Sequence, residues 1–308
     1  MWNRRPIRAA LLALVAATLG CSAPDRGSWW YRHPGAGDPH GIEEVFAGTG
    51  ALSPTDVADA AFACGIRRMY GSYGPMTGSN VPSASQVATF NVDLHDRGMT
   101  SEYLLSDSSY LTNPSALYQH VTERVLDFNA ARADVAEQFD AVHLDIEPVS
   151  FPACKIATLD PVACYELVAE WLLVIGPVRD LLSSAEPPVA LHVDIHEWID
   201  VTSGGRIAWP ADPTSDASRD DWFVSLDAYA EGITVMAYDH VTASDVWNAT
   251  SYEATHLAHE VRAGMNLDPS TSFVDVPSLL AGALQVETAY GLDTDLHDLN
   301  DILASGGC

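Results

Sequence analysis

Lysine is almost missing from this sequence: Lys155 stands alone among 308 residues. Basic residues number 15 against 42 acidic ones, a formal net charge of −27. A chain so short of positive charge argues against nucleic acid and anionic membrane surfaces as partners, because both are recognised through a basic face. No CxxC pair occurs, which argues against a cysteine metal site. No GxSxG is present, so a nucleophile-elbow hydrolase is unsupported. No glycine-rich fingerprint follows the first expected strand, which lowers a dinucleotide-binding fold. No short repeat or low-complexity segment interrupts the chain. What is present is a 47% hydrophobic content, enough for a large core, over a length that suits one large domain or two small ones.

The N-terminus reads as a targeting signal over residues 1–20. Arg4, Arg5 and Arg8 precede Ala9–Leu19, an apolar run too short to span a bilayer comfortably. The context Thr18-Leu19-Gly20-Cys21 resembles a bacterial lipoprotein signal, which implies lipidation of Cys21 and a membrane anchor; plain secretion is the alternative. Residues 21–41, polar and rich in Gly and Pro around Trp29, Trp30 and Tyr31, read as a tether, leaving 42–308 as the catalytic domain. Outside the cytosol the remaining Cys64, Cys154, Cys164 and Cys308 are disulfide candidates. Three pairings are open. Cys154 and Cys164 flank a Pro-containing loop, which favours that bridge and leaves Cys64 with Cys308.

Strand-like and helix-like patterns then alternate, the signature of a βα architecture. Glu43–Phe46 is the first expected strand. Ser53-Pro54-Thr55-Asp56 starts a helix ended by Gly65. Arg67–Tyr73, Ser101–Asp107, Phe139–Pro148, Val189–Ile199 and Gly232–His240 are further strands. Helices are expected over Ser83–Arg97, from Asn113 to about Gln138, over Pro161–Ser184 with a break near Gly176-Pro177, and over Ser251–Gly264. Thr202–Asp221 reads as a loop. Ser272–Val276 and Ala283–Thr288 are short strand candidates before a last helix, Leu296–Leu303. The expected fold is an α/β protein, a (β/α)₈ TIM-type barrel, either closed by those two short strands or incomplete at its C-terminal end.

The stretch FDAVHLDIEP, Phe139–Pro148, carries the chemistry. Side chains alternate along a strand, so His143, Asp145 and Glu147 share one face and Val142, Leu144 and Ile146 the other. Polar groups gathered toward the C-terminal end of a barrel strand mark an active-site mouth. VALHVDIHEWI repeats the pattern with His192, Asp194, His196 and Trp198.

Phe139–Glu147 resembles the fourth-strand DxxDxDxE motif of glycoside hydrolase family 18, the chitinase-like barrels. Asp140, Asp145 and Glu147 match, and His143 stands where that family has its middle aspartate. Met236-Ala237-Tyr238-Asp239 is similar to the family's MxYD on the sixth strand. The likeness covers roughly Phe139 to His240. The third strand lacks the family's Ser-x-Gly-Gly, and no tryptophan follows Trp247 to floor the sugar site. The resemblance implies a hydrolase of glycosidic bonds with Glu147 as general acid and Asp145, Tyr238 and Asp239 positioning the reacting sugar. His143, Asp194, His196, Trp198 and His240 are expected to bind substrate. Asp140, of opposite parity, is expected to be structural. No cofactor is implied, and the partner is a carbohydrate bound by a monomer.

Two other chemistries use the same residues. His143, Asp145, Glu147, His192, Asp194, His196, Asp239 and His240 together could make a metal-dependent hydrolase. A non-catalytic lipoprotein could instead hold glycan by face stacking on Trp198, Trp209 or Trp222, although such aromatics more often simply pack.

Overall fold

The computed structural model describes residues 25–32, 37–78 and 81–308. The signal segment and Cys21 lie outside the described residues. Eight parallel strands close into a barrel in strict chain order. They are β1 (Arg26–Trp30), β2 (Ile66–Gly71), β3 (Thr100–Leu105), β4 (Ala141–Leu144), β5 (Ala190–His196), β6 (Gly232–Met236), β7 (Glu260–Asn266) and β8 (Asp293–His297). β8 pairs with β1 through Gly27 opposite Asp295, so the barrel is complete.

Several expected elements move. The first strand is not Glu43–Phe46, which lies inside helix α1 (Ile42–Ala47), but Arg26–Trp30 within the expected tether. The barrel therefore begins before residue 42. Trp29 and Trp30 are fully buried, and burying two indoles outweighs the flexible composition around them. Part of the expected 202–221 loop is helical, since α7 begins at Ser215 and runs to Tyr229. Ser251–Gly264 divides between α8 (Ala243–His256) and β7. Neither short C-terminal candidate is a strand: Ala283–Thr288 lies within α9 (Val276–Tyr290), and Ser272–Val276 mostly precedes it. Leu279, Ala283 and Val286 form one buried helical stripe there. β8 takes the segment in which the last helix was expected to start, and α10 (Leu299–Ala304) follows it.

Other elements are defined by their caps. Ser53 caps α2 (Pro54–Ala63) in a capping box with Asp56, and Ser83 caps α3 (Ala84–His95) with Gln86. The helical stretch after β3 is α4 (Pro114–Val121), a wide turn Thr122–Leu126 and α5 (Asp127–Ala130). Asp160 accepts from two amides at the start of α6 (Pro161–Ser183), which continues past Gly176-Pro177.

The outer faces of the strands and the inner faces of the helices make one large apolar layer. The barrel interior differs. Among the described residues Trp29, Tyr70 and Leu104 form a small apolar cluster there, and polar side chains such as Glu102, His143, Asp194, Thr234, Arg262 and Asp295 fill much of the rest. Arg262 donates to Asp295, which also accepts from the Gly27 amide and the Thr234 hydroxyl. Asp140 sits at the strand entrance, accepting from the Ser101 amide and pairing with His95. Disulfides join Cys64 to Cys308 and Cys154 to Cys164, marking a protein matured in an oxidising, exported setting. The second bridge ties the loop after β4 to the first turn of α6.

Candidate active site

Inward positions of neighbouring strands stack in layers, and the polar residues of β4 and β5 occupy successive depths. His143 pairs in register with His192, and Asp194 lies two residues further along β5. Asp145 and Glu147 continue beyond the end of β4, at the C-terminal mouth. Parity put these side chains on one face. The strand rise of about 3.3 Å per residue separates them in depth.

His143 is 1% exposed, its Nε2 2.7 Å from Oδ1 of Asp194 and its Nδ1 3.1 Å from Oε2 of Glu102. Tyr70 stacks on the imidazole at 3.9 Å. Burial disfavours a charged His143, yet Asp194 and Glu102 outweigh it and hold the ring protonated to well above the usual histidine range. Burial likewise opposes the charge of Glu102, but His192 and His143 keep that carboxyl well below its ordinary value. Asp194 also accepts from Nε1 of Trp29 at 2.9 Å. His143 and Asp194, expected to bind substrate, are thus buried interior residues that lie beneath the mouth.

At the mouth, Asp145 accepts from the Ser106 hydroxyl at 2.9 Å through Oδ2, while its buried Oδ1 has no hydrogen-bond partner. Burial, then the charges of Asp194 and Glu147, push its pKa up. Glu147 is half-buried, and burial followed by the Asp194 charge raises its pKa too. Asp145, pushed up to about 8, keeps its proton near neutrality beside the charges of Asp194 and Glu147. His196 brings Nε2 to 4.0 Å from Glu147 and otherwise leaves that atom unpartnered. Burial and Arg206 lower its pKa to about 4, so it stays neutral. It stacks on Trp198 at 5.2 Å, and Arg206 lies over the same indole at 4.8 Å.

Tyr238 stands against Trp29 and His297, with ring centroids at 6.1 and 4.8 Å. Burial and then the charges of Asp194, Tyr31, Asp145 and Glu147 push its phenol up. Tyr31, whose hydroxyl is 3.3 Å from Nε2 of His297, is raised by burial and by Asp145 and Asp194. Both hydroxyls therefore remain donors in a mouth rich in carboxylates.

Not every expected residue joins this group. Asp239 is exposed on the turn after β6. His240 bonds Glu197 at 2.7 Å in an adjacent cleft that Trp198, Asp200, Asp245 and Asn248 also line. Trp209 and Trp222 are about 5% exposed, pack on each other at 6.0 Å, and the Trp222 indole donates to the Val168 carbonyl. They are core residues and offer no stacking face. The eight-residue metal set is likewise divided between mouth, interior and side cleft. Trp29, Tyr31, Glu102 and His297 went unrecognised in the sequence. Three of them left a signal: Trp29 and Tyr31 an aromatic run in a supposedly flexible segment, and His297 the stretch Asp293-Thr294-Asp295-Leu296-His297, which alternates as FDAVHLDIEP does.

No family model and no curated protein matches this chain. Solved structures do. The family 1 β-glucosidase of Thermotoga maritima aligns over 90% of this chain and 88% of its own at 8% identity, TM-score 0.52. A chitinase from Chromobacterium violaceum ATCC 12472 aligns over 90% and 94% at 11% identity, TM-score 0.50. A Bacteroides thetaiotaomicron VPI-5482 protein described provisionally as an α-L-fucosidase aligns over 91% and 86% at 9% identity, TM-score 0.57. At such identities the likeness is one of fold. This chain is a closed (β/α)₈ barrel of the kind those glycoside hydrolases share.

Proposed function

We propose that this protein is an exported glycoside hydrolase in which Glu147 protonates the leaving glycosidic oxygen. One observation carries the reading. Glu147, half-exposed at the mouth with a raised pKa, stands beside Asp145, whose buried Oδ1 lacks a donor that a bound substrate could supply. Tyr238 and Tyr31 add hydroxyl donors where charge on the reacting sugar would develop. In the family that the β4 and β6 motifs resemble, the substrate's own N-acetyl group is the nucleophile. Asp145 and Tyr238 would orient it here, so one acid suffices in place of two spaced carboxylates. Asp239, exposed, is left with a positioning role only if substrate reaches the turn after β6. The two disulfides support export, and Cys21 is the proposed lipid attachment site on a monomer that binds carbohydrate. A Cys21→Ser chain released from the membrane fraction would agree with that anchor; an unchanged distribution would dismiss it.

The catalytic reading is tested by incubating the chain from Ser22 onward, and its Glu147→Gln variant, with N-acetylated and non-acetylated oligosaccharides. Loss of a general acid lowers kcat by about 10²–10⁴-fold. A folded variant with undiminished turnover would end the proposal. Cleavage that stops on chelation in the wild type would move the chemistry to a metal. Binding of the sugars by both proteins with no cleavage by either would make the barrel a glycan-binding protein.

A further inference from the structure

Below the mouth, three ligating side chains converge inside the barrel. Nδ1 of His143 and Nδ1 of His192 both face one oxygen of Glu102, Oε2, at 3.1 and 2.8 Å. Ligand atoms around a tetrahedral ion with bonds of about 2.0–2.1 Å stand about 3.3 Å apart. The spacing here is close to that of a coordination shell. We propose that Glu102, His143 and His192 form a binding site for a divalent transition-metal ion, with zinc the best match to two imidazoles and a carboxylate.

The surroundings are those a metal-bound histidine needs. The other nitrogen of His143 meets the Asp194 carboxylate at 2.7 Å, and Asp194 is itself fixed by the Trp29 indole. A carboxylate behind the imidazole orients the ring and raises its basicity as a ligand. Tyr70 stacks on His143 and fixes its plane. Gly232 makes room for His192, since a Cβ there would come within 2.9 Å of its ring. Glu102 and Asp194 supply two negative charges, which match a divalent ion that displaces the proton shared between His143 and Glu102.

Access comes from the N-terminal face of the barrel. A cavity of about 460 Å³ opens there, lined by Glu102 and His192 together with Asp25, Arg67, Arg68 and Thr100. Arg68, which also feels the Glu102 charge, is already paired with Asp25 and Glu260. The neighbouring acidic trio Asp25, Glu260 and Asp293 differs, because Arg68 and Arg262 occupy it. A buried ion pair needs neither a second imidazole on the same oxygen nor a route to solvent.

The test is independent of catalysis by Glu147. The chain from Ser22 onward, which contains every described strand and helix, is loaded with Zn²⁺ or Co²⁺ and dialysed against metal-free buffer. Elemental analysis is expected to find about one zinc per chain in the wild type and in Glu147→Gln, and none in His192→Ala or Glu102→Gln. The cobalt form is expected to show visible d–d absorption, and EDTA to lower the thermal midpoint of the wild type but not of the two ligand variants. Should those variants fail to fold, wild-type stoichiometry and the cobalt spectrum decide alone. Substoichiometric zinc, no cobalt band and a midpoint indifferent to EDTA would overturn the site, leaving an ion-paired barrel interior only.

Discussion

The carboxyl of Glu253 lies fully buried on α8, and neither of its oxygens reaches a hydrogen-bond partner. Burial, and then the charge of Asp200, raise its pKa well above the ordinary 4.5; its own backbone amide and Arg219 oppose this only in part. In the folded protein Glu253 is therefore held as the neutral acid, while the unfolded chain ionises it normally. Below pH 4.5 both states carry the proton, and the group leaves the equilibrium unchanged. Above it only the folded state does, so stability falls as pH rises, by about 1.4 kcal/mol per unit until the folded group itself ionises. Each pH unit over which the folded group keeps its proton therefore takes a noticeable share of the ~5–15 kcal/mol that holds a domain together.

Glu253→Gln keeps the shape and removes the titration. The free energy of unfolding, measured by urea titration of both proteins across that pH range, is expected to diverge. The variant gains on the wild type as pH rises from 5 to 7, with a slope of up to about 1.4 kcal/mol per pH unit. Asp200, raised to about 6 chiefly by burial, adds a slope of the same sign, but it is present in both proteins and largely cancels. Parallel stability profiles would refute the argument and show that Glu253 is hydrated or ionised in the fold.

Three further outcomes follow from the same structure. Because burial and Asp194 raise the Glu147 pKa, the alkaline limb of kcat/KM for glycoside cleavage is expected above the ordinary glutamate value; a limb at or below 4.5 in the pH–rate profile would contradict it. A Cβ on Gly27 would strike the Tyr70 hydroxyl and the Asp295 carboxylate, so Gly27→Ala is expected to lose about 1–3 kcal/mol in denaturant titration, and wild-type stability would speak against that contact. Replacing Cys154 and Cys164 together by serine opens a bridge across a sequence separation of 10 and is expected to cost about 3 kcal/mol; an unfolding midpoint unmoved by the change would show that α6 docks without it.

The middle of the barrel was readable because its strands and helices follow opposite periods and carry clear caps, as Ser53 and Ser83 do. Its ends were not. β1, Arg-Gly-Ser-Trp-Trp, is buried at every residue, so no polar alternation announces it, and its glycine and serine imitate a linker. β8 does alternate, but Asp293 and Asp295 look like surface acids until Arg262 and the Gly27 amide are seen beside Asp295. The site divides along the same line. Period two says which face His143, Asp145 and Asp194 share. It is silent on depth, and depth decides which of them is an interior ion pair and which reaches the mouth. Asp239 and His240 meet a related limit: the turn after β6 leaves Asp239 exposed and puts His240 on Glu197 in the adjacent cleft, and no pattern in the sequence marks where a strand ends.

Depth also explains how a histidine can stand where the β4 motif leads one to expect an aspartate. A third carboxylate between Asp145 and Asp194 would add charge to a pocket whose carboxyls already repel one another. An imidazole there is stable only with carboxylates on both sides, and Glu102 and Asp194 supply them at 3.1 and 2.7 Å. His143 thus binds part of the Asp194 charge away from the mouth, whether as a protonated ring or as a ligand of the proposed ion. The residual Asp194 field still reaches Glu147 and raises its pKa. Substituting His143 alone would release that field onto both mouth carboxyls and leave Glu102 and Asp194 buried without their common partner. Loss of activity in such a variant would therefore report on the barrel interior before it reported on the chemistry of Glu147.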